Sequence, residues 1–296
     1  MKTLLKIAAL AMPALLVSGM ASASGKEPVH AGESHAAAPR AARAAPAHGL
    51  GHWTYDGETG PEHWGELSEG FKACKVGRMQ SPIDLGGADA QAPLVVRTAY
   101  RPGPMTILNN GHTVQVNFPE GSRLSSGISH YKLLQVHFHT PSEETVYGIP
   151  YPMVAHFVHV DYAGNYAVLG VLFEEGAPNP ELEKILRAAP TSEQAARAVP
   201  GVTLDPARLL PERLSVWRYD GSLTTPPCTE GVRWHVAMNR VQASAAQIAA
   251  IHAIIGDNAR PIQPRHGRML VAGTEYPQGS LLEGPPAGPA QEGAGC

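Results

Sequence analysis

The sequence predicts an α+β domain in which β-sheet dominates. Several short segments alternate apolar and polar residues between turn signals, a pattern typical of strands with one buried face. Only two segments carry apolar residues at helical spacing. The 296 residues include 31 glycines and 27 prolines but only 6% aromatic residues. This composition favours many turns and argues against a helical bundle.

The predicted strands follow one another along the middle of the chain. The first leads into the turn Asn109-Asn110-Gly111, and the second ends at the turn Pro119-Glu120-Gly121. All six strands are predicted at residues 107–108, 113–118, 131–139, 153–161, 166–173 and 233–238.

Two helices are predicted. Residues 180–188 place apolar side chains at helical spacing, with Asn179 ahead as the N-cap and a proline at the first helical position. Residues 244–255 form the second helix, which ends at Gly256, a residue suited to a helix C-terminus.

The N-terminal residues 1–23 have the features of a secretory signal. Lys2 and Lys6 precede an apolar run, and Ala21-Ser22-Ala23 supplies a cleavage site of small residues. The run of about 11 apolar residues is too short for a bilayer span, which needs about 20. We therefore expect an exported protein, periplasmic or secreted, with no stable membrane anchor.

The flanking segments are predicted to lie outside the folded unit. Residues 24–50 are rich in Ala, Pro, Gly and His, and they lack the large apolar side chains that could offset the entropy of ordering them. Their histidines, with His52, either bind metal ions loosely or are simply solvated. Residues 272–296 are predicted to be a flexible tail, which leaves 51–271 as a single folded domain.

Charge and cysteine content narrow the functional classes. The net charge of −3 provides no basic surface for nucleic acid or for an anionic membrane. In an exported chain, Cys74 and Cys228 predict a disulfide, and two separate buried thiols are the alternative. Cys296, at the end of the tail, is expected to be free or to pair between molecules.

The most informative segment is the third predicted strand. Because successive strand side chains alternate between faces, Gln135, His137 and His139 share one face. Two imidazoles about 7 Å apart along a strand can converge on one ion. The next strand carries His156 and His159 on opposite faces, and the spacing does not say which of them joins the pair. Three neutral imidazoles suit Zn²⁺ and leave a fourth position for water; ordinary hydrogen-bonded histidines are the alternative.

Eight blocks, spread over about 220 residues, carry a resemblance to a known family. They are HWTYDGETGPEHWGEL (52–67), QSPIDL (80–85), LNNGHTVQV (108–116), LLQVHFHTPSEE (133–144), MVAHFVH (153–159), YAVLGVLF (166–173), GSLTTPPCTEGVRWHV (221–236) and NARPIQP (258–264). In this order they resemble the α-class carbonic anhydrases of the bacterial exported type. The resemblance implies a large central, mostly antiparallel, twisted β-sheet with a few short peripheral helices.

The resemblance also implies a zinc enzyme that hydrates CO₂ reversibly to bicarbonate and a proton. Its ligands would be His137, His139 and His156, holding one Zn²⁺ per chain, and zinc-bound hydroxide would attack CO₂. Thr224 would accept a hydrogen bond from that hydroxide and donate its own proton to Glu143. This direction is consistent with the chemistry, because a carboxylate can only accept.

Further roles implied by the resemblance surround this centre. His112 matches the proton shuttle, since an imidazole with a pKa near neutrality can pass protons to buffer. Thr225 would contact bicarbonate or inhibitors, and an apolar pocket for CO₂ would be formed by Val158, Val168, Leu223, Val232 and Trp234. Water between shuttle and metal would be ordered by Tyr55, Asn110 and Gln115. Gln135 and the backbone at Asn258 would orient the rings of His137 and His139.

Two positions depart from the family pattern. Relatives usually have a carboxylate two residues before the third ligand, where this chain has Val154. Glu144 stands at a position that is often histidine in relatives. Losing a group that orients a ligand typically costs about 10–100-fold in metal affinity or activity. Zinc is therefore expected to leave this chain faster, unless another group substitutes.

Two other function classes stay open at this point. One is a non-catalytic relative that acts as a binding module; such relatives usually lack a zinc histidine, and this chain keeps all three. The other is a periplasmic zinc-binding protein that depends on the histidines of its linker. For the enzyme, the expected partners are CO₂ and bicarbonate, with sulfonamides and anions as inhibitors. No nucleic acid is expected, and a homodimer is left open.

Overall fold

The computed structural model describes residues 51–273. The predicted signal (1–23) and linker (24–50) lie outside the described residues, as does the tail from residue 274 to Cys296. Ala272 and Gly273, which the sequence assigns to the tail, belong to the last described strand and pair with neighbouring strands.

The described part of the chain is dominated by strands. They are β1 (Ala90–Ala92), β2 (Val96–Ala99), β3 (Gly103–Asn109), β4 (Val114–Asn117), β5 (Arg123–Ser126), β6 (Ser129–His139), β7 (Thr145–Val146), β8 (Ile149–Pro150), β9 (Met153–Val160), β10 (Tyr166–Glu175), β11 (Gln194–Leu204), β12 (Val216–Ser222), β13 (Glu230–Ala237), β14 (Val241–Ala243) and β15 (Val271–Gly273). The six predicted strands correspond to β3, β4, β6, β9, β10 and β13. The largest difference in extent is at β3, which begins at Gly103.

Thirteen of these strands form one sheet, in the order β1-β15-β12-β13-β10-β9-β6-β4-β3-β11 with β14, β2 and β5 attached at its side. The strands β7 and β8 form a separate pair. Pairing is antiparallel except where β10 meets β13 and β14 and where β1 meets β15. The predicted sheet-dominated α+β class, with a large and mostly antiparallel central sheet, is therefore confirmed.

The helices of the described residues are short. They are α1 (Trp64–Leu67), α2 (Ala73–Val76), α3 (Pro180–Ala188) and α4 (Ala245–Ile255), with 3₁₀ turns at Gly57–Thr59, Glu69–Phe71 and Pro206–Leu209. Helix α3 has the predicted bounds, and the Asn179 side chain accepts hydrogen bonds from its first turn. Helix α4 begins one residue later than predicted because Ser244 is its N-cap, exchanging hydrogen bonds with Gln247 in a capping box. None of these helices is long and apolar enough to span a bilayer.

The central strands bury side chains on both of their faces. One face contributes to the larger core, which includes Val136, Phe138, Ala155 and Phe157 and also the apolar residues of α3 and α4. The other face contributes to a smaller core with Val154, Val158, Val168 and Trp234. Because side chains alternate along a strand, the even-numbered apolar residues of β9 share their face with His156. The centre of the sheet therefore positions this histidine beside an apolar surface.

The predicted disulfide between Cys74 and Cys228 is present and joins α2 to the loop between β12 and β13. The backbone N–H of Cys228 donates to the carbonyl of Thr225 at 2.8 Å. The buried guanidinium of Arg260 donates to the carbonyl of Cys74 at 3.1 Å and to that of Ser81 at 2.8 Å. These bonds hold the loop that carries Thr224 and Thr225 against the N-terminal helices.

Candidate metal centre

Three histidines from two adjacent strands meet on one face of the sheet. His137 and His139 lie on β6, and His156 lies directly opposite His137 on the antiparallel strand β9. Each residue offers one ring nitrogen, and the three nitrogens lie within 4.8 Å of one another. The ring centroids are 4.7 to 5.3 Å apart. The spacing of the residues left His156 and His159 as alternatives for the third member of the cluster. The structure shows that it is His156.

His159 lies on the opposite face, as the alternation along β9 predicts. Its Nε2 is 2.7 Å from the hydroxyl of Tyr100, and its Nδ1 is 3.3 Å from the carbonyl of Ala167. Burial lowers its pKa to about 3, so this ring is neutral and hydrogen-bonded within the core. His159 is therefore a structural residue, separated from the cluster by the sheet itself.

The second nitrogen of each ring in the cluster has a protein partner. The Nδ1 of His137 is 2.9 Å from Oε1 of Gln135, and the Nδ1 of His139 is 2.8 Å from the backbone oxygen of Asn258. The Nε2 of His156 lies 3.2 Å from Oε1 of Glu144. Because these acceptors take the ring N–H groups, the remaining nitrogens present lone pairs to the space between them.

These lone pairs fit a metal ion. The Nε2 of His139 is buried and has no hydrogen-bond partner among the residues that the structure describes, a state that needs an explanation in a folded protein. Three imidazole nitrogens with oriented rings are a donor set that zinc takes in catalytic sites. The residues present therefore suit Zn²⁺, with a fourth position open.

Burial keeps two of the rings in the neutral form that a metal requires. Burial, and the nearby His156, lower the pKa of His137 to about 3. The same causes, with His137 in addition, hold the pKa of His139 well below its usual value. Burial also acts on His156, but Glu144 and Glu143 outweigh it and raise the pKa of that ring. The two carboxylates thus make His156 the most basic of the three histidines.

Glu143 is buried beside the cluster. Its Oε1 accepts a hydrogen bond from the backbone N–H of Arg260 at 2.9 Å, and its Oε2 lies 3.4 Å from Nε2 of His139. Among residues 51–273, Oε2 has no partner at hydrogen-bond distance, but the nearby Thr224 hydroxyl acts to lower the pKa of Glu143. Burial outweighs this effect and raises that pKa to about 7. A cation between the three histidines would favour the ionised form.

The predicted apolar residues belong to one buried group beside β9 and β10. Val158 pairs with Val168 across β9 and β10, and Val168 pairs with Trp234 across β10 and β13, so the three form a row. Val232 belongs to the same buried group, and Leu223 is partly buried against it. The Trp234 ring stands edge-on to His156 with centroids 4.9 Å apart, and its Nε1 donates to the carbonyl of Ser222 at 2.9 Å. Trp234 therefore connects this apolar group to the histidine cluster.

The predicted shuttle residue lies at the surface near the N-terminal helices. His112 is half-buried, and its ring stacks on Trp53 with centroids 3.6 Å apart and planes inclined by 9°. Burial lowers its pKa, and nearby His52 lowers it further, whereas Glu193 acts in the opposite direction. The stacking gives this ring a defined resting position against Trp53.

The three predicted water-ordering residues differ in their surroundings. Tyr55 is partly buried near Glu143, and its pKa is raised by burial and by that carboxylate. The Asn110 side-chain oxygen accepts from the backbone N–H groups of its own turn, so it shapes the turn that presents His112. The Nε2 of Gln115 donates to Oδ1 of Asn117 at 2.6 Å. The structure thus gives Asn110 a local structural role besides any role toward water.

Sequence reasoning did not find two residues that organise the site. The backbone N–H of Arg260 holds Oε1 of Glu143. The guanidinium of Arg260 bonds to backbone carbonyls in the segment 74–81. Trp53 supplies the stacking surface for His112. Both lie inside family-like blocks, and the single charged residue of the otherwise neutral block 258–264 was the signal that could have identified Arg260.

Fold and site together define a class: a β-sheet protein whose central strands present a cluster of three histidines suited to a metal ion. The family model described as eukaryotic-type carbonic anhydrase matches residues 59–274. The chain belongs to this family, the α-class carbonic anhydrases, and is an enzyme of it. Membership supports the hydration of CO₂ as its reaction.

Individual relatives agree over most of the chain. A carbonic anhydrase of Nostoc sp. is 42% identical over 224 residues, which cover 74% of this chain and 85% of that protein. A carbonic anhydrase of Klebsiella pneumoniae is also 42% identical over 224 residues, which cover 74% of this chain and 90% of that protein. The structure of an α-carbonic anhydrase from Thermovibrio ammonificans in complex with sulfanilamide aligns with a TM-score of 0.70 and 45% identity, covering 75% of this chain and 99% of that one.

Proposed function

We propose that this chain catalyses the reversible hydration of CO₂ to bicarbonate and a proton, with one Zn²⁺ held by His137, His139 and His156. The observation that carries the proposal is the convergence of three ring nitrogens within 4.8 Å, each ring oriented by a partner at its other nitrogen. When bound there, zinc would lower the pKa of a water molecule to about 7 and so supply a nucleophile at neutral pH.

Thr224 and Glu143 orient the reacting oxygen. Because an ionised Glu143 can only accept, the Thr224 hydroxyl donates to it and keeps a lone pair for a hydrogen bond from the nucleophile. Thr224 is 5% exposed, which restricts its rotation and water's access to it. Thr225, the next residue, is partly exposed and is proposed to contact bicarbonate.

The apolar wall formed by Val158, Val168, Leu223, Val232 and Trp234 is proposed to hold CO₂ before attack. A small uncharged molecule gains from apolar contact and needs no charged group to bind it. The carbon of CO₂ can then lie beside the histidine nitrogens without displacing the nucleophile. Bicarbonate, which is charged, is held poorly by the same wall and leaves.

His112 is proposed to export the proton that hydration releases, with Tyr55, Asn110 and Gln115 ordering the intervening water. Its neutral ring accepts a proton, and its partly exposed position lets buffer remove it. The stacking on Trp53 supports this role, because it gives the partly exposed ring a defined resting position.

Replacing His112 by alanine is expected to lower kcat for hydration by roughly 100-fold in weak buffer, while kcat/KM stays unchanged, because proton export follows the attack on CO₂. Added imidazole should restore most of the rate. In the wild type, kcat should fall as pH drops through the pKa of His112, and that limb should lie below 6.5 because burial and His52 lower this pKa. Stopped-flow hydration measurements across pH check all three results.

The matched control is His130→Ala, since His130 is an exposed histidine bonded to Ser125 at the far end of β6. It should leave kcat unchanged. A loss of kcat/KM in His112→Ala equal to the loss of kcat would contradict the shuttle role.

The same site is proposed to bind sulfonamides and small anions, because the Thermovibrio ammonificans relative is described in complex with sulfanilamide. We further propose that the protein is exported to the periplasm or secreted. The Cys74–Cys228 disulfide supports this, since disulfides persist in oxidising compartments. A homodimer stays a proposal to be measured by sedimentation.

The function is tested by stopped-flow hydration of CO₂ with the purified protein before and after removal of metal by a chelator. We expect the rate to disappear on removal and to return with one equivalent of Zn²⁺. A protein that binds zinc and shows no metal-dependent hydration would overturn the proposal in favour of a binding module.

A further inference from the structure

Glu144 is a buried carboxylate with a single hydrogen-bonding partner. It is fully buried, and both of its oxygens face Nε2 of His156, Oε1 at 3.2 Å and Oε2 at 3.3 Å. In the part of the chain that the structure describes, no other group forms a hydrogen bond with this carboxylate. A buried charge is costly unless it is paired, so the contact with His156 accounts for the presence of Glu144 in the core.

The backbone around Glu144 is fixed by its own loop. The hydroxyl of Ser142 donates to the carbonyl of Glu144 at 2.6 Å and accepts from the backbone N–H of Tyr151 at 2.8 Å. Across the sheet, Gly170 pairs with His156 in register. The carboxylate lies over this part of β10, because a Cβ at Gly170 would stand in ordinary van der Waals contact with Oε1 of Glu144, at 3.7 Å. The hydrogen bonds of Ser142 fix the backbone from which the carboxylate reaches His156.

The position two residues before His156 cannot supply a hydrogen-bond acceptor to the histidine ring. Val154 shares its strand face with His156 and is fully buried among apolar side chains. It offers no acceptor to the ring. The acceptor that this face of β9 lacks is therefore provided from the loop after β6.

We propose that Glu144 is the positioning residue for His156: it accepts the Nε2–H of the ring, fixes the tautomer that leaves Nδ1 free, and holds that nitrogen toward the metal. The proposal rests on the zinc centre of the proposed function. Val154 by itself predicts that zinc leaves the chain faster. The proposal changes this expectation, because a carboxylate still orients the third ligand, from a different position in the sequence. Zinc retention should thus depend on Glu144.

The test is the rate at which the zinc-loaded protein releases zinc to an excess of chromogenic chelator. Glu144→Met keeps the volume but removes the acceptor, and it should release zinc about 10–100-fold faster than the wild type. Glu144→Gln keeps an acceptor without the charge, and it should lie between the two. Glu181→Gln is the matched control: Glu181 is also a buried carboxylate, but it bonds Lys184 and the backbone of Asp205. It should release zinc at the wild-type rate.

A rescue distinguishes positioning from simple packing. In Val154→Glu/Glu144→Met, the new carboxylate starts from the same strand face as His156, and zinc release should slow again toward the wild-type rate. Wild-type release in both single Glu144 variants would overturn the role of Glu144 while leaving the zinc centre intact. If the wild-type protein holds no zinc, the metal proposal fails and the role of Glu144 fails with it. Glu144→Gln, which is nearly isosteric, decides the matter if Glu144→Met does not fold.

Discussion

His139→Ala is expected to lose stoichiometric zinc and all metal-dependent hydration of CO₂. Two ring nitrogens would remain, and neither His137 nor His156 can close the tetrahedral set without a third donor. Without the metal, the pKa of the attacking water rises from about 7 to its far higher value in bulk water, so the nucleophile almost disappears at neutral pH. Zinc content by atomic emission and hydration by stopped flow measure the two losses together.

A matched control separates loss of a ligand from loss of a buried ring. His159→Gln also removes a fully buried histidine from the central sheet, but on the face away from the metal centre. This variant should be less stable and should still bind one zinc and hydrate CO₂. Full activity in His139→Ala would contradict the assignment of the ligand set.

The alternation of side chains along a strand predicted much of the histidine cluster. This alternation involves only residues that are close together in one strand. His137 and His139 share a face wherever β6 is a strand, whatever surrounds it. The choice between His156 and His159 depends on the register of β9 against β6, which includes an irregularity between Leu133 and Gln135. Residue spacing carries no information on that register. The family resemblance made the choice, and the geometry agrees.

The role of Glu144 could not be predicted in the same way. It lies in the loop after β6, and its contact with His156 spans twelve positions of sequence. The sequence showed two separate departures, an apolar Val154 and an acidic Glu144, without showing that one compensates for the other. Only the fold of the loop, which brings Oε1 of Glu144 to 3.2 Å from Nε2 of His156, joins them.

Several strands that the sequence did not predict lack a periodic signal. Strand β11 is largely exposed and has two register shifts against β3, so it lacks a steady alternation of apolar and polar residues. Strands β1, β14 and β15 have three residues each, too few for a periodic signal. The positions of these short strands depend on neighbours that are already in place. Strands β6, β9 and β10, at the centre of the sheet, have 11, 8 and 10 residues and are long enough to be recognised from the sequence.

Glu143→Gln is expected to lower kcat for hydration by about 100- to 1,000-fold, the range for losing one preorganised hydrogen bond to the reacting atoms. The backbone N–H of Arg260 donates to Oε1 and so requires an acceptor there. In the variant, the amide oxygen must take that place, and the amide NH₂ replaces Oε2 on the side of Thr224. The NH₂ then donates to the Thr224 hydroxyl, which turns its own hydrogen toward the nucleophile and no longer accepts from it.

This reversal predicts a specific combination of results. Zinc content should stay at one per chain, since Glu143 is not one of the three donors, while kcat and kcat/KM fall together. Thr224→Val should produce a loss of similar size, because it removes the same hydroxyl, and Thr224→Ser should stay close to the wild type. The double variant Glu143→Gln/Thr224→Val should be little worse than either single variant, because both act through one hydrogen bond. Additive losses in the double variant would show that Glu143 acts on the reaction by another route, such as the charge that it places 3.4 Å from Nε2 of His139.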